Sequence, residues 1–215
     1  LPASAGSSVF AFNQLASNED GSMVIALGDQ SIVYKRIDGN WTAVDSLGLS
    51  ASTSLGVGYG ADVFILGGFD FTNQPTGLYL FRTSDGTNWE DLEDNSDLNP
   101  NSGLDSIVFL NDIFIGSGFN SRVVFSENRG ISWQTLEQGN RHRMSSFAFG
   151  GGVFYSIGED ETNGGVLVNL VSNDGKIWKV VGSDVDEDGN DITYFNSSFI
   201  IVSDGGVIRQ SGLVE

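Results

Sequence analysis

Short runs of alternating apolar and polar residues, each ended by Gly, Asn or Asp, follow one another along the chain. Between Ser54 and Thr83 the sequence contains the runs SLGVGY, DVFILGG and GLYLFRT. Short runs rich in β-branched and aromatic residues are typical of antiparallel strands. Apolar residues at helical spacing are nowhere sustained over the dozen positions that a helix needs. The pattern therefore predicts an all-β chain.

The strand pattern repeats along the whole chain. The first unit reads SVFAF, SMVIALG, SIVYKR and WTAV, and the third reads SIVFL, DIFIGSG, SRVVFS and WQTL. The fourth reads SSFAF, GVFYSIG, GVLVNLVS and WKVV, and the fifth begins DITYF, FIIVSDGG and VIRQ without a fourth run. A repeat of about 40 to 50 residues with four strands is typical of β-propeller blades.

The repeat predicts one domain, a five-bladed β-propeller whose blades are four-stranded antiparallel meanders. The blades are expected at approximately 8–45, 53–92, 104–136, 144–181 and 191–215. Propellers avoid an open sheet edge by closure, so residues 1–7 are expected to supply the missing outer strand of the fifth blade. An incomplete part of a longer array of blades is the alternative.

All four tryptophans follow a similar turn, and they recur about every 45 residues. Three of the turns place a hydroxyl, an Asp or Asn, a Gly and a Trp in the same order, whereas RIDGNWTAV, around Trp41, is a weaker copy. The residues are Thr83, Asp85, Gly86 and Trp89; Ser126, Asn128, Gly130 and Trp133; and Ser172, Asp174, Gly175 and Trp178. A catalytic site needs its set of residues only once, so a set that occurs several times predicts a structural turn. Asp and Ser can cap turn amides, Gly accepts a positive φ, and Trp packs under the hairpin.

This turn pattern resembles the Asp-box, or BNR repeat, of sialidase-like β-propellers. The resemblance implies a turn between the third and fourth strands of a blade, remote from the catalytic face. A sialidase would also need three arginines, a Tyr–Glu pair and an acidic Asp. Here Arg36, Arg82 and Arg209 fall at the same repeat position, and the early Arg-Ile-Pro signature of the family is missing. The sequence therefore predicts a sialidase-like propeller without the catalytic residues, and no enzyme activity.

The net charge of the chain limits the classes of molecule that it can bind. The chain has 28 Asp and Glu against 10 Lys and Arg, a net charge of −18. This charge opposes nucleic-acid phosphates and anionic lipid surfaces, and no apolar run is long enough to insert into a membrane. No motif requires a cofactor: there is no Cys, and the single histidine argues against multi-histidine metal sites. The acidic composition favours an extracellular, cell-surface or virion location.

The loop DVDEDGND is a candidate calcium site. Asp184, Asp186 and Asp188 alternate before a glycine turn, and Asn190 follows that turn. Alternate carboxylates before a turn resemble DxDxDG calcium loops, in which oxygens converge on one ion. The glutamate expected at the twelfth position is absent. Two interpretations therefore stay open, a Ca²⁺ site and a solvated acidic loop.

Arg141, His142 and Arg143 form a candidate ligand-binding triplet in the connection between the third and fourth blades. Blade connections tend to gather around the axis of a propeller, where cations could dock a carboxylate-bearing sugar or an acidic partner loop. The alternative is an intramolecular ion pair with neighbouring acids such as Glu137.

Four functions follow from these features. The first is a non-catalytic binding or structural module of a secreted, cell-surface or virion protein that recognises a protein or glycan through its loop face. The second is a glycan-binding lectin, and the third is an assembly or accessory factor of a larger complex. The fourth is a degenerate glycosidase. The fold alone does not choose among them.

Overall fold

The computed structural model describes residues 12–50, 53–72, 77–92, 98, 103–104, 106–118, 122–137, 142–160, 165–184 and 189–212. These residues form antiparallel strands and two short 3₁₀ turns. Within these ranges no helix has the length and apolar character needed to cross a membrane.

The strands form five sheets in chain order. The first sheet contains β1 (Phe12–Ser17), β2 (Met23–Gly28), β3 (Ile32–Ile37) and β4 (Asn40–Ala43). The second contains β5 (Thr53–Gly60), β6 (Val63–Asp70), β7 (Leu78–Thr83) and β8 (Glu90–Asp91). The third contains β9 (Ser106–Leu110), β10 (Ile113–Ser117), β11 (Arg122–Ser126) and β12 (Gln134–Glu137). The fourth contains β13 (His142–Gly150), β14 (Val153–Asp160), β15 (Val166–Ser172) and β16 (Lys179–Asp184). The fifth contains β17 (Gly189–Phe195), β18 (Ser198–Ser203) and β19 (Val207–Gln210).

Each sheet is a meander in which consecutive strands pair antiparallel. The chain is a five-bladed β-propeller, as the strand pattern predicted, and the fifth sheet has three strands among the described residues. The predicted closing strand, residues 1–7, lies outside the described residues.

The hydrophobic core lies between consecutive sheets. Ile25 and Leu27 of the first sheet pack with Phe64 and Leu66 of the second. Equivalent clusters join the second sheet to the third, the third to the fourth and the fourth to the fifth. The middle strand β6 is buried at every position. A strand buried on both faces reads as a continuous apolar run, which explains the sequence VFILGGF in place of simple alternation.

The first strand, β1, spans Phe12–Ser17. The apolar run at residues 8–12 predicts a strand, and all of that run except Phe12 lies outside the described residues. Alternate positions of β1 are exposed, and Leu15 is 68% exposed. Because its exposed positions reduce the need for apolar residues, FNQLAS lacks the signature of a buried strand.

Candidate functional site

The three tryptophan turns, residues 83–89, 126–133 and 172–178, have nearly the same internal hydrogen bonds. In the first, the Gly86 amide donates to Thr83 Oγ1 over 3.0 Å. Asp85 Oδ1 accepts the amides of Thr87 and Asn88 over 2.8 and 2.7 Å. The hydroxyl and the carboxylate therefore accept hydrogen bonds from backbone amides that would otherwise have no partner in the turn.

The other two turns repeat this arrangement with their own residues. The amides of Gly130 and Gly175 donate to Ser126 Oγ over 3.0 Å and to Ser172 Oγ over 2.9 Å. Asn128 Oδ1 accepts the Ser132 amide over 3.0 Å. Asp174 Oδ1 accepts the amides of Lys176 and Ile177, each over 2.9 Å. The three turn glycines have φ of +64°, +74° and +71°, which a side chain would disfavour.

The backbone bonds also fix the ionisation of the two turn aspartates. Hydrogen bonds from the Asn88 and Thr87 amides hold the pKa of Asp85 far below its usual value. The Ile177 amide has the largest effect in lowering the pKa of Asp174. Both carboxyls are thus held ionised inside a turn, and a general acid needs the opposite shift.

Each turn also contacts the preceding sheet. A Cβ on Gly130 would overlap Ile65 of the second sheet, and one on Gly175 would crowd Ile113 and Ile115 of the third. Two cations also reach from one sheet to the turn of the next: Lys35 Nζ donates to Thr87 Oγ1 over 2.7 Å, and Arg82 Nε donates to the Arg129 carbonyl over 2.9 Å. The turns are joints between sheets, spread over three sheets and not gathered in one cleft.

The fourth predicted copy, around Trp41, has a different turn. Asp38 and Gly39 both have positive φ, +48° and +83°, and they link β3 directly to β4. This is the two-residue hairpin geometry of an Asp-Gly pair. Trp41 lies inside β4, whereas Trp89, Trp133 and Trp178 precede their strands.

Of the predicted cationic triplet, the structure describes His142 and Arg143. Arg141 lies outside the described residues. His142 is 8% exposed, and its Nδ1 lies 3.9 Å from Asp160 Oδ1 on the adjacent strand. Within the described ranges neither ring nitrogen of His142 has a hydrogen-bond partner. Arg143 is half-buried opposite Glu159, and successive strand residues point to opposite faces.

Arg143 lines a central pocket of about 440 Å³. The pocket lies where the first strands of four successive sheets begin, so it draws residues from all four. Its lining residues are Asn13, Gln14, Leu27, Gly28, Asp29, Gln30, Leu55, Ser106, Arg143, Met144 and Ser145. Of these, sequence reasoning had singled out only Arg143.

Several polar groups of the central pocket are held in place. Asn13 Nδ2 donates to Asp29 Oδ1 over 3.0 Å, and Gln14 Oε1 accepts the Val57 amide from the second sheet over 2.7 Å. Gln30 has a positive φ of +57°, which is uncommon for a residue other than Gly. The pocket thus offers amide, hydroxyl, carboxylate and guanidinium groups carried by four sheets.

The acidic loop is only partly described. Asp184 ends β16, whereas Asp186 and Asp188 lie outside the described residues. Asn190 Nδ2 donates to Asp204 Oδ1 over 2.8 Å. Asp191 Oδ1 accepts Ser146 Oγ over 2.6 Å and its neighbour's amide over 2.9 Å. No group of three His, Asp or Glu residues able to hold a metal is found in the described ranges, and the calcium site stays a prediction.

Comparisons with known proteins support the propeller class defined by these sheets. No protein-family model and no curated protein matches the chain. Among solved structures, it is similar to YCF48 bound to D1 peptide, at 14% identity over 94% of this chain and 63% of that chain, with a TM-score of 0.67. It is also similar to a chain of the nidogen/laminin complex, at 13% identity over 94% and 76% of the two chains, with a TM-score of 0.64.

A third similar structure is YCF48 from Cyanidioschyzon merolae, at 16% identity over 95% of this chain and 67% of that chain, with a TM-score of 0.62. At such identities the likeness shows the fold alone. The chain spans less than two thirds of the length of the peptide-bound YCF48 chain.

Proposed function

We propose that this chain is a non-catalytic β-propeller module that binds a segment of another polypeptide across the central pocket. The observation that carries the proposal is the pocket itself, which is open, predominantly polar and built from four sheets. Side-chain amides, hydroxyls and the Arg143 guanidinium suit the carbonyl and amide groups of an extended segment.

The similar structures support a protein ligand. One is a propeller with a bound peptide, and another comes from a complex of two proteins. The net charge of −18 favours a partner segment that is neutral or basic, because an acidic segment would be repelled at long range. Arg143 would then bind a carbonyl of the segment through its planar donors.

The chemistry of the described titratable groups supports a non-catalytic role. Acid–base catalysis needs a group poised near neutral pH within reach of a substrate. The low-pKa Asp85 and Asp174 are bound within turns, and His142 is buried and absent from the lining of the central pocket. A panel of fluorogenic glycosides is expected to show no turnover.

We also infer that the three tryptophan turns are Asp-box turns of a sialidase-like propeller that lacks the catalytic residues. Their hydroxyl, carboxylate and glycine contacts support this assignment. The extracellular, cell-surface or virion location rests on the acidic composition, and fractionation of the native source tests it.

A peptide-display selection on the intact chain tests the proposed function. Selected peptides are expected to be neutral or basic, and Arg143→Gln is expected to weaken their binding by about tenfold. Lys179→Gln is the matched control, because Lys179 is an exposed cation on the outer strand of the same sheet and does not line the pocket. Equal effects of the two changes would place the peptide elsewhere and overturn the proposal.

A further inference from the structure

A second concave surface, the rim groove, lies at the outer edge of the second sheet and shares no lining residue with the central pocket. It has a volume of about 460 Å³. Its aromatic residues are Tyr79, Phe81 and Trp89, and its polar residues include Ser46, Asn88 and Asp91. Ligand pockets of roughly 300–1,000 Å³ commonly combine aromatic side chains with a few polar groups.

The strand register brings the aromatic and polar groups to one face. Tyr79 and Phe81 are two residues apart on β7, so their side chains share a face. Their rings are stacked, with centroids 6.1 Å apart and planes at 21°. Asp91 lies directly opposite Phe81 on β8, which places an exposed carboxylate beside the aromatic pair. Phe81 is 7% exposed and belongs to the core, so the accessible aromatic surface beside this polar edge comes from the half-buried Tyr79 and Trp89, which pack against that core.

Trp89 departs from the pattern of the other tryptophan turns. Trp133 and Trp178 are 1% and 7% exposed, and each donates its indole N–H to the carbonyl of the turn glycine, over 3.0 and 3.1 Å. Trp89 is half-buried, and within the described ranges its indole N–H has no hydrogen-bond partner. The turn therefore does not hold this indole as it holds the other two, and part of the ring surface is available to the groove.

We propose that the rim groove is a binding site for a neutral saccharide. A pyranose ring has one face of C–H groups, which suits an aromatic surface, and a rim of hydroxyls that need both donors and acceptors. Ser46 supplies a hydroxyl, and Asp91 supplies a carboxylate acceptor. Asn88, whose Nδ2 already donates to Asp85 Oδ2 over 2.6 Å, supplies its amide oxygen and its remaining N–H. That carboxylate and the net charge of −18 disfavour anionic sugars. This site is independent of the peptide-binding proposal, since the two surfaces share no residue.

An array of immobilised neutral and anionic oligosaccharides, followed by calorimetric titration of the hits, tests the proposal on the intact chain. Neutral saccharides are expected to bind saturably, and Trp89→Leu is expected to weaken the binding by about tenfold. Trp41→Leu is the matched control, because Trp41 is also half-buried on an outer strand but does not line the groove. Its saccharide affinity is expected to equal that of the unchanged chain.

Asp91→Ala provides a second test if Trp89→Leu fails to fold. Asp91 is exposed on β8, and its replacement is expected to weaken saccharide binding several-fold in a variant that circular dichroism shows to be folded. Absence of saturable binding to any neutral saccharide would overturn the proposal. So would hits whose affinity neither change alters, or a groove that binds peptides and not saccharides.

Discussion

Ile65 of the second sheet lies directly against Gly130 of the third, and a Cβ on Gly130 would overlap the Ile65 side chain. Gly130 has a φ of +74°. The same position therefore combines a backbone conformation that favours glycine with a contact between two sheets. The equivalent turn glycines, Gly86 and Gly175, lie against the first and third sheets. These contacts make the tryptophan turns part of the packing between sheets.

Gly130→Ala is expected to destabilise the chain strongly. The left-handed backbone and the overlap with Ile65 together predict a loss of about 2–4 kcal/mol in the free energy of unfolding. Gly21→Ala is the matched control, since Gly21 has a φ of +70° and no atom lies within 4 Å of the place that its Cβ would occupy. The control should lose only about 1–2 kcal/mol. Urea unfolding measures both, and equal losses would show that the sheet contact contributes nothing.

Asp85→Ala is expected to cost about 1–2 kcal/mol at pH 7, because the amides of Thr87 and Asn88 lose their acceptor. Asp85→Asn is expected to cost less, since Asn128 fills the same position in the third sheet's turn and accepts a backbone amide there. Ser84→Ala, an exposed neighbour, is the control. Thermal melting compares the three, and an Asp85→Ala variant as stable as the control would contradict the capping role.

Stability is expected to fall in acid. The folded pKa of Asp85 lies below its unfolded value near 3.9, so its contribution is complete above about pH 5 and is lost as the pH falls below about 4. The lowered pKa of Asp174 acts in the same direction. Asp85→Asn removes one of these groups, so its melting temperature should decrease less steeply between about pH 5 and 2. Parallel curves for the two proteins would contradict this assignment.

Trp133→Phe is expected to destabilise the chain more than Trp89→Phe. Trp133 is 1% exposed and its indole N–H donates to the Gly130 carbonyl, so the change loses a hydrogen bond and buried volume, about 2–4 kcal/mol in all. Trp89 lacks that bond within the described part of the chain and is only half-buried. Its replacement should cost about 1 kcal/mol. Chemical denaturation followed by circular dichroism gives both values.

The acidic loop gives a metal-removal test. If Asp184, Asp186, Asp188 and Asn190 hold Ca²⁺ as the sequence predicts, dialysis against a chelator should lower the melting temperature, and added Ca²⁺ should restore it. Asp188→Asn should remove the difference. A midpoint that does not move between chelator and millimolar Ca²⁺, in the same buffer, would leave a solvated acidic loop as the interpretation.

The propeller fold could be predicted from the sequence because each sheet repeats the same local requirements. Middle strands buried on both faces require runs such as VFILGGF, and the turns require a hydroxyl, a carboxylate or amide, and a glycine at fixed spacing. These requirements act between residues close in the chain, so they leave a readable pattern. The strand β1 lacks that pattern because a strand with exposed alternate positions does not need it.

The candidate binding surfaces, in contrast, could be located only from the packing of the sheets. Asn13, Leu55, Ser106 and Arg143 are far apart in the chain and meet because the first strands of four sheets begin around one pocket. The rim groove likewise combines the segment at Ser46 and Leu47 with β7 and the turn at Trp89. A local sequence pattern cannot predict these contacts, because they depend on how separate sheets pack. The adjacent residues His142 and Arg143 lie on opposite faces of their sheet, because neighbouring strand residues point to opposite faces.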